Sequence, residues 1–282
     1  MADVAIRPGS ADDVRAAYEV LAACDYGTWF EFDVDALREL WPFYRATWMA
    51  EQDGVVAYAA VRGNEIEVYV LPSARRRGIG SRLLDLAEAA LDAPVVESTA
   101  RRDESAAAPF FAVHGYEPVY ETWLMQIETV QGLAPPTWPE GIRVRTFRAD
   151  DARAVKELLD AAYADDQRYR PPAFDHWKRF MMDSADFDPA CWFLAEAPDG
   201  SLAGASLSWK QGFIKDLVVD PAWQRRGLGE ALMRHTFCEF RRRGARRVTL
   251  KTDSLNPSRA WRLYERVGMH IAETYDAFEK RV

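Results

Sequence analysis

Apolar and polar positions along this chain switch between two periods, and the switches come in the same order twice. Leu158, Leu159 and Ala162 mark one face of a helix. Val95-Val-Glu-Ser-Thr99, Phe213-Ile-Lys-Asp-Leu-Val-Val-Asp220 and Val248-Thr-Leu-Lys-Thr252 are short, β-branched runs of the kind that form strands. Ser10-x-x-Asp13 reads as a capping box opening a helix through Ala22. In each half the order is strand, helix, helix, several strands, a loop with its helix, a strand, a helix and a last strand. That mixture predicts an α/β (α+β) domain, a sheet covered by helices.

The duplication is visible residue by residue. Ile6-Arg7 and Ala11-Asp-Asp13 recur as Val144-Arg145 and Ala149-Asp-Asp151, offset by 138. Arg75-Arg-Arg-Gly-Ile-Gly80 recurs as Gln224-Arg-Arg-Gly-Leu-Gly229, offset by 149, and the strand at Val95 recurs at Val248, offset by 153. The last difference, about one helical turn, fits a longer helix near Arg241-Arg-Arg-Gly244 in the second copy. Thr129-Val-Gln-Gly-Leu-Ala-Pro-Pro-Thr-Trp-Pro-Glu-Gly141 has no period and is rich in Pro and Gly, as a linker is. Two domains are therefore expected, 1–133 and 134–282.

The repeated loop carries the clearest chemistry. Gly227 and Gly229 let backbone N–H groups come close to an anion, the following helix adds its unpaired donors and positive dipole end, and Arg225 and Arg226 add charge. This is a phosphate cradle, but neither common nucleotide fingerprint fits: Leu232 stands where a dinucleotide fold needs a third Gly, and no Gly-Lys-Ser/Thr follows. Gln224-Arg-Arg-Gly-Leu-Gly229 resembles the pyrophosphate loop of the GNAT superfamily of acyl-CoA N-acyltransferases. Asn256-Pro-Ser-Arg-Ala260-Trp-Arg-Leu-Tyr264-Glu-Arg-Val-Gly268 resembles that family's second cofactor motif.

The resemblance, in a tandem-domain arrangement, implies two GNAT domains, each a mixed, splayed sheet flanked by helices. It implies acetyl-CoA as cofactor and an N-acetyltransferase that acetylates a primary amine by direct attack in the second domain. Cofactor binding would fall to Leu217, Val218, Val219, Gln224, Arg225, Arg226, Gly227, Leu228, Gly229, Glu230, Asn256 and Ala260. A bulge in the strand before the loop would free the N–H groups of Val218 and Val219 for the pantetheine arm. Tyr264 would be the general acid for the departing thiolate, a phenol of pKa about 10 facing a thiol of about 8.5, and Asp216 the base for the amine. With a four-residue spacing, Asn256, Ala260 and Tyr264 are expected on one helix face. Each also has a plainer explanation: Asn256-Pro257 as a helix cap, Tyr264 as a core aromatic, the arginines as a solvated loop.

The first copy departs from the pattern. It carries Asp103, Ala107, Phe111 and Gly115 where the second has Asn256, Ala260, Tyr264 and Gly268, and Glu67 matches Asp216. Phenylalanine has no proton to give. A second cofactor site at Val68, Tyr69, Val70, Arg75, Arg76, Arg77, Gly78, Ile79, Gly80 and Ser81 is expected to be accessory or non-catalytic.

Composition narrows the partners. Residues 1–133 carry net charge −11 and residues 134–282 net +3, giving −8 overall, which disfavours a polyphosphate backbone and so nucleic acid. Cys24, Cys191 and Cys238 form no Cys-x-x-Cys and the four histidines form no ligand cluster, so no metal is expected. With no apolar run long enough for a bilayer and no signal peptide, a cytoplasmic protein without membrane association is expected.

The acceptor, expected to be a small-molecule amine, would meet the segment from Tyr163 to Pro172 and on to His176-Trp177. There Asp165 and Asp166 either recognise a cation or form a solvated loop. In the first copy the matching stretch is aromatic, Trp29, Phe30, Phe32, Trp41, Phe43, Tyr44 and Trp48, and either closes a cleft or packs domains together. The rivals to a small-molecule acetyltransferase are a non-catalytic acyl-CoA sensor or scaffold and a protein N-acetyltransferase. The sequence leaves the oligomeric state open.

Overall fold

The computed structural model describes residues 4–24, 33–129 and 132–281. Trp29, Phe30 and Phe32 lie outside the described residues. The chain forms two compact units, one of residues 1–121 with 274–282 and one of residues 122–273.

The first unit runs through β1 (Ala5–Pro8), α1 (Val14–Ala23), α2 (Val34–Leu40), β2 (Ala46–Glu51), β3 (Val55–Arg62), β4 (Glu65–Val70), α3 (Ile79–Ala89), β5 (Val95–Arg101), α4 (Ala107–Val113) and the start of β6 (Glu117–Glu128). The second holds the rest of β6, then β7 (Arg143–Thr146), α5 (Ala152–Ala162), α6 (Phe174–Met182), β8 (Trp192–Glu196), β9 (Leu202–Trp209), β10 (Phe213–Val219), α7 (Leu228–Arg242), β11 (Arg247–Asp253), α8 (Trp261–Arg266) and the start of β12 (His270–Arg281).

Within the first unit the strands run β1-β2-β3-β4-β5-β12, and within the second β6-β11-β10-β9-β8-β7. The last strand of each sequence repeat thus completes the other repeat's sheet. Residues 122–128 of β6 pair antiparallel with β11, and residues 275–281 of β12 pair antiparallel with β5. The linker divides the repeats in sequence near residue 134, while the compact units divide at these strands.

Helices cover both faces of each sheet. In the first unit α1 and α3 pack on β3, and in the second α5 and α7 pack on β9. A strand buried on both faces needs apolar or small residues throughout, and Ala57 to Val61 and Ala203 to Ser208 supply them. At Gly204 a Cβ would come within 2.9 Å of the Val218 carbonyl and 3.0 Å of Leu232, so α7 sits as low on β9 as a bare backbone allows. The duplicated opening is also held alike in both units. Arg7 reaches Asp13 at 2.6 Å and Glu51 at 2.7 Å, and Arg145 reaches Asp151 at 2.6 Å and Glu196 at 2.7 Å. The extra turn of the second copy is in its loop helix, since α7 has 15 residues and α3 has 11.

Both sheets splay beside their loops. β10 pairs in parallel with β11 only at Phe213 and Ile214, and β4 pairs with β5 only at Glu65. Beyond those residues each strand has a backbone edge that its parallel neighbour does not use.

Candidate functional site

The end of β10 and the start of α7 are joined by a turn whose backbone the sequence makes possible. Arg225 takes φ 59° and Gly227 φ 84°, both left-handed, and Gly227 is the N-cap residue of α7. No side chain caps this helix, so the first N–H groups of a four-turn helix stay free for another acceptor. Gly229 answers a different constraint. A Cβ there would lie 3.1 Å from Leu263 and 3.6 Å from Val219, so glycine lets α7, α8 and β10 meet.

Around the turn, the Gln224 amide reaches back to the Val219 carbonyl at 3.4 Å, and Arg226 stacks over the Trp223 ring at 4.8 Å. Leu228 is buried. Glu230 is held by Arg234 at 2.8 Å and Arg266 at 3.4 Å, so what it can offer an anion is its backbone donor.

β10 does bulge, but earlier than expected. Its register against β9 shifts between Ile214 and Asp216, placing the extra residue, Lys215, before Asp216 and not after it. From Asp216 onward the ladder is regular, and Asp220 N–H donates to Ala203 O. Strand alternation then turns the Val218 N–H toward Ala205 and leaves those of Leu217 and Val219 on the open edge. Of the two amides expected to be free, only Val219 is, and Leu217 joins it. The Val218 side chain, 3% exposed, packs in the core with Val155 and Trp192.

The second motif also differs from expectation. Asn256, Ala260 and Tyr264 do not share a helix face, because α8 begins only at Trp261. Asn256 sits in a turn where its carboxamide oxygen accepts from Ser258 N–H at 3.0 Å and Ser258 Oγ at 2.6 Å, and Arg259, at φ 50°, breaks the path into the helix. A short polar side chain competing for its own backbone favours a turn over a helix, and Pro257 reinforces it. Asn256 therefore is not the N-cap of α8; Ala260 is.

Tyr264 is 7% exposed, in the core cluster with Ile214, Leu250 and Met269. Burial, and then the nearby Asp216 carboxylate, push its phenol above the usual tyrosine range, so it carries a proton at any physiological pH. Asp216 Oδ1 accepts a hydrogen bond from Tyr163 Oη at 2.9 Å, and Lys215 Nζ lies 3.8 Å from Oδ2. The Tyr163 phenol is raised in its turn by burial, Asp216 and Tyr264. Two phenols and one carboxylate thus meet where β10 leaves β11. Tyr163, at the end of α5, opens the segment expected to meet the acceptor, but nothing in the pattern pointed it at Asp216.

Of the two acidic residues considered for a cation, Asp165 is exposed, while Asp166 accepts from Arg168 N–H at 2.9 Å and faces its guanidinium at 3.5 Å. Asp166 is thus engaged within its own loop.

The first unit repeats the turn without the rest. Arg76 takes φ 61°, Gly78 caps α3 at φ 76°, and no side chain caps that helix. A Cβ at Gly80 would lie 3.3 Å from Phe110. Arg75 bonds the Val70 carbonyl at 3.0 Å and Glu104 at 2.9 Å. Yet β4 pairs with β3 from Glu65 to Val70 with no register shift. Phe111, 5% exposed, stacks on Phe278 with centroids 4.7 Å apart. Asp103 is paired to Arg101 at 2.5 Å, and Glu67 accepts from Tyr44 at 3.3 Å. Of the remaining aromatics, Trp41 and Tyr44 pack around Tyr58 within the unit.

Comparison with known proteins finds two matches to acetyltransferase families. Residues 152–269 match the Acetyltransferase (GNAT) family, and residues 44–118 the Acetyltransferase (GNAT) domain. A mycothiol acetyltransferase of Nocardioides sp. is 31% identical over 244 residues, covering 76% of this chain and 83% of that protein. Another, of Thermobispora bispora, is 35% identical over 215 residues, covering 72% and 71%. The crystal structure of a GCN5-related N-acetyltransferase from Sphaerobacter thermophilus superposes with TM-score 0.80 at 28% identity, over 98% of this chain and 95% of that one.

Proposed function

The chain belongs to the GNAT family as a tandem acyl-CoA-dependent N-acetyltransferase, and we propose that its second unit acetylates a primary amine on a small molecule, with Tyr264 and Asp216 as the reacting side chains. One observation carries this assignment. In the second unit a buried, protonated phenol and a carboxylate meet beside the open edge of β10, whereas the first unit has Phe111 in place of the phenol and no bulge in β4.

The residues present suit acetyl-CoA. The uncapped start of α7 and the Gln224 to Gly229 turn would hold the pyrophosphate, and the Leu217 and Val219 amides would receive an extended arm as an added strand does. Bound there, acetyl-CoA supplies an acetyl group activated as a thioester. An alkylammonium with a pKa of about 10.4 is almost wholly charged at neutral pH and has no lone pair to offer. Asp216, with Oδ2 free of a hydrogen bond from Tyr163, takes that proton directly or through water. Tyr264 supplies a proton to the departing sulfur. At ordinary values a phenol is the weaker acid of that pair by about 1.5 pKa units, and the burial that raises Tyr264 widens the gap, so full transfer costs at least about 2 kcal/mol. The nitrogen sheds a second proton as the amide forms, which restores the Tyr264 phenol, and Asp216 returns the first to solvent, so each turnover releases one proton.

The two mycothiol acetyltransferase relatives favour a small amine as acceptor over a protein. The test is acetyl-CoA-dependent thiol release by the full chain against aminosugars, polyamines and amino acids, with lysine-bearing peptides as the contrast. Turnover of peptides alone would move the acceptor to proteins. No turnover with any class, under conditions where acetyl-CoA binds, would remove the transfer reaction.

A further inference from the structure

Asp216 stands on a bulged strand, where a free aspartate turns about its own side-chain bonds and presents either oxygen. Its surroundings remove that freedom. Tyr163 Oη donates to Oδ1 at 2.9 Å, and Oδ2 is left with only the Lys215 ammonium at 3.8 Å, beyond hydrogen-bonding range. The donor is itself fixed. Tyr163 closes α5, its N–H bonded to Leu159 O, and its ring lies 5.1 Å from that of Tyr169. Tyr169 Oη is tied back to Asp160 at 2.6 Å, and Arg168 reaches Asp253 at the end of β11 at 2.9 Å. The segment carrying the phenol is thus tied both to its own helix and to the strand that splays from β10.

We propose that Tyr163 is a positioning residue for acetyl transfer: it occupies Oδ1 of Asp216 and so commits Oδ2 to the incoming ammonium. This rests on the assignment of Asp216 as the base. Among the described residues the titratable and charged groups around that carboxylate are Tyr163 and Tyr169 from α5 and its loop, Tyr264 from α8, and Lys215 from β10 itself. Only Tyr163 donates to it at hydrogen-bond distance, and a phenol held well above its usual range remains a donor at every pH at which an amine is acetylated. The first unit has no tyrosine at the matching sequence position. Residue 25, an aspartate, stands where the offset of 138 places Tyr163. Glu67 takes its phenol from Tyr44, on the other side of α2 in sequence, at the longer distance of 3.3 Å.

The experiment uses the full chain with Tyr163→Phe, Asp216→Asn and the double variant. The infrared carboxylate band of Asp216, identified in protein labelled with 13C-aspartate as the band lost in Asp216→Asn, moves in Tyr163→Phe. Turnover in Tyr163→Phe falls about tenfold, with acetyl-CoA affinity by calorimetry within about twofold, as a misplaced base and not a lost cofactor site would give. Adding Tyr163→Phe to Asp216→Asn costs nothing further. Replacing Tyr163 by 3-fluorotyrosine, which keeps the ring and strengthens the donor, moves the same band the opposite way. A carboxylate band unmoved in Tyr163→Phe overturns the proposal, and so does an added loss in the double variant. If Asp216→Asn alone retains full turnover, the base assignment falls; if it is impaired while Tyr163→Phe is fully active, only the positioning role falls.

Discussion

β10 with its loop and β4 with its loop are two solutions grown from one ancestor pattern, and they agree wherever backbone geometry decides. Both turns place an arginine and a glycine in left-handed conformations, at Arg76 and Gly78 and at Arg225 and Gly227. Both lead into a helix that no side chain caps. They part at the side chains facing the splay. A bulge before Asp216 shifts that residue against its neighbour strand, while β4 runs straight past Glu67. Tyr264 brings a hydroxyl to the place where Phe111 stacks on Phe278. Anion-holding geometry is written in glycines and helix ends and survives duplication cheaply. Proton transfer needs particular atoms at particular places, and on the proposed assignment the absence of one ring oxygen would remove it.

The largest effect should come from exchanging that oxygen between the units. Tyr264→Phe is expected to lower turnover about a hundredfold or more, with little change in acetyl-CoA affinity, because it removes a proton donor and no packing. Phe111→Tyr in the Tyr264→Phe background should restore nothing, since β4 has no bulge and Asp103 is engaged with Arg101. Steady-state thiol release and calorimetry read both. Full activity in Tyr264→Phe would end the assignment of the acid, and recovery through Phe111→Tyr would make the first unit a dormant enzyme.

Next in size is a test of the strand exchange. Phe278 belongs by sequence to the second repeat but packs in the first unit with Phe111, Val96 and Leu84, and Lys280 pairs there with Glu88 at 2.7 Å. Phe278→Ala should destabilise the first unit by about 3–5 kcal/mol. Hydrogen exchange should speed up in β3 and β5 and stay slow in β9 and β10. Faster exchange confined to the second unit would contradict the division.

Much of the fold could be read from the sequence because duplication supplies its own control. The two turns, the order of elements and the extra helical turn in α7 all follow from matched residues at stated offsets. What escaped was set by distant pairing. The exchange of β6 and β12 depends on which sheet each final strand joins, and both strands look alike locally. Which amides of β10 are free depends on a register fixed by Asp220 and Ala203. Asn256 matched a spacing that suits a helix, but its own carboxamide made a turn. Tyr163 reaches Asp216 across 53 residues of chain, a contact that no local period encodes.

The glycines sharpen the comparison on a smaller scale. Gly227→Ala meets no atom within 4 Å, so its cost is conformational alone, about 1 kcal/mol for forcing an alanine to φ 84°. Gly229→Ala has the opposite character: ordinary helix geometry, but a Cβ 3.1 Å from Leu263. The first should loosen the turn and weaken acetyl-CoA binding several-fold. The second should press α7 away from α8 and disturb Tyr264, lowering turnover as well. The matched pair Gly78→Ala and Gly80→Ala should leave turnover unchanged if the first unit takes no part in the chemistry. Loss of turnover in that pair would show that it does.

The smallest expected effect is on stability at alkaline pH. Folding holds the phenols of Tyr163 and Tyr264 above the unfolded value of about 10, so above that pH the folded chain binds more protons than the unfolded one. The derivative of unfolding free energy with pH is then negative. The stabilisation these two residues give the second unit is complete below pH about 10 and is lost as pH rises toward their folded values. Tyr116, raised by burial and by Glu88, should act the same way in the first unit. Urea midpoints taken at neutral pH and again above the unfolded phenol pKa should therefore fall for the wild type. They should fall less for Tyr163→Phe and Tyr264→Phe in the transition of the second unit, and less for Tyr116→Phe in that of the first. Tyr264→Phe with an alkaline loss equal to the wild type would mean that its hydroxyl meets water freely in the folded chain, and a phenol so exposed is not the buried donor that separates the two units.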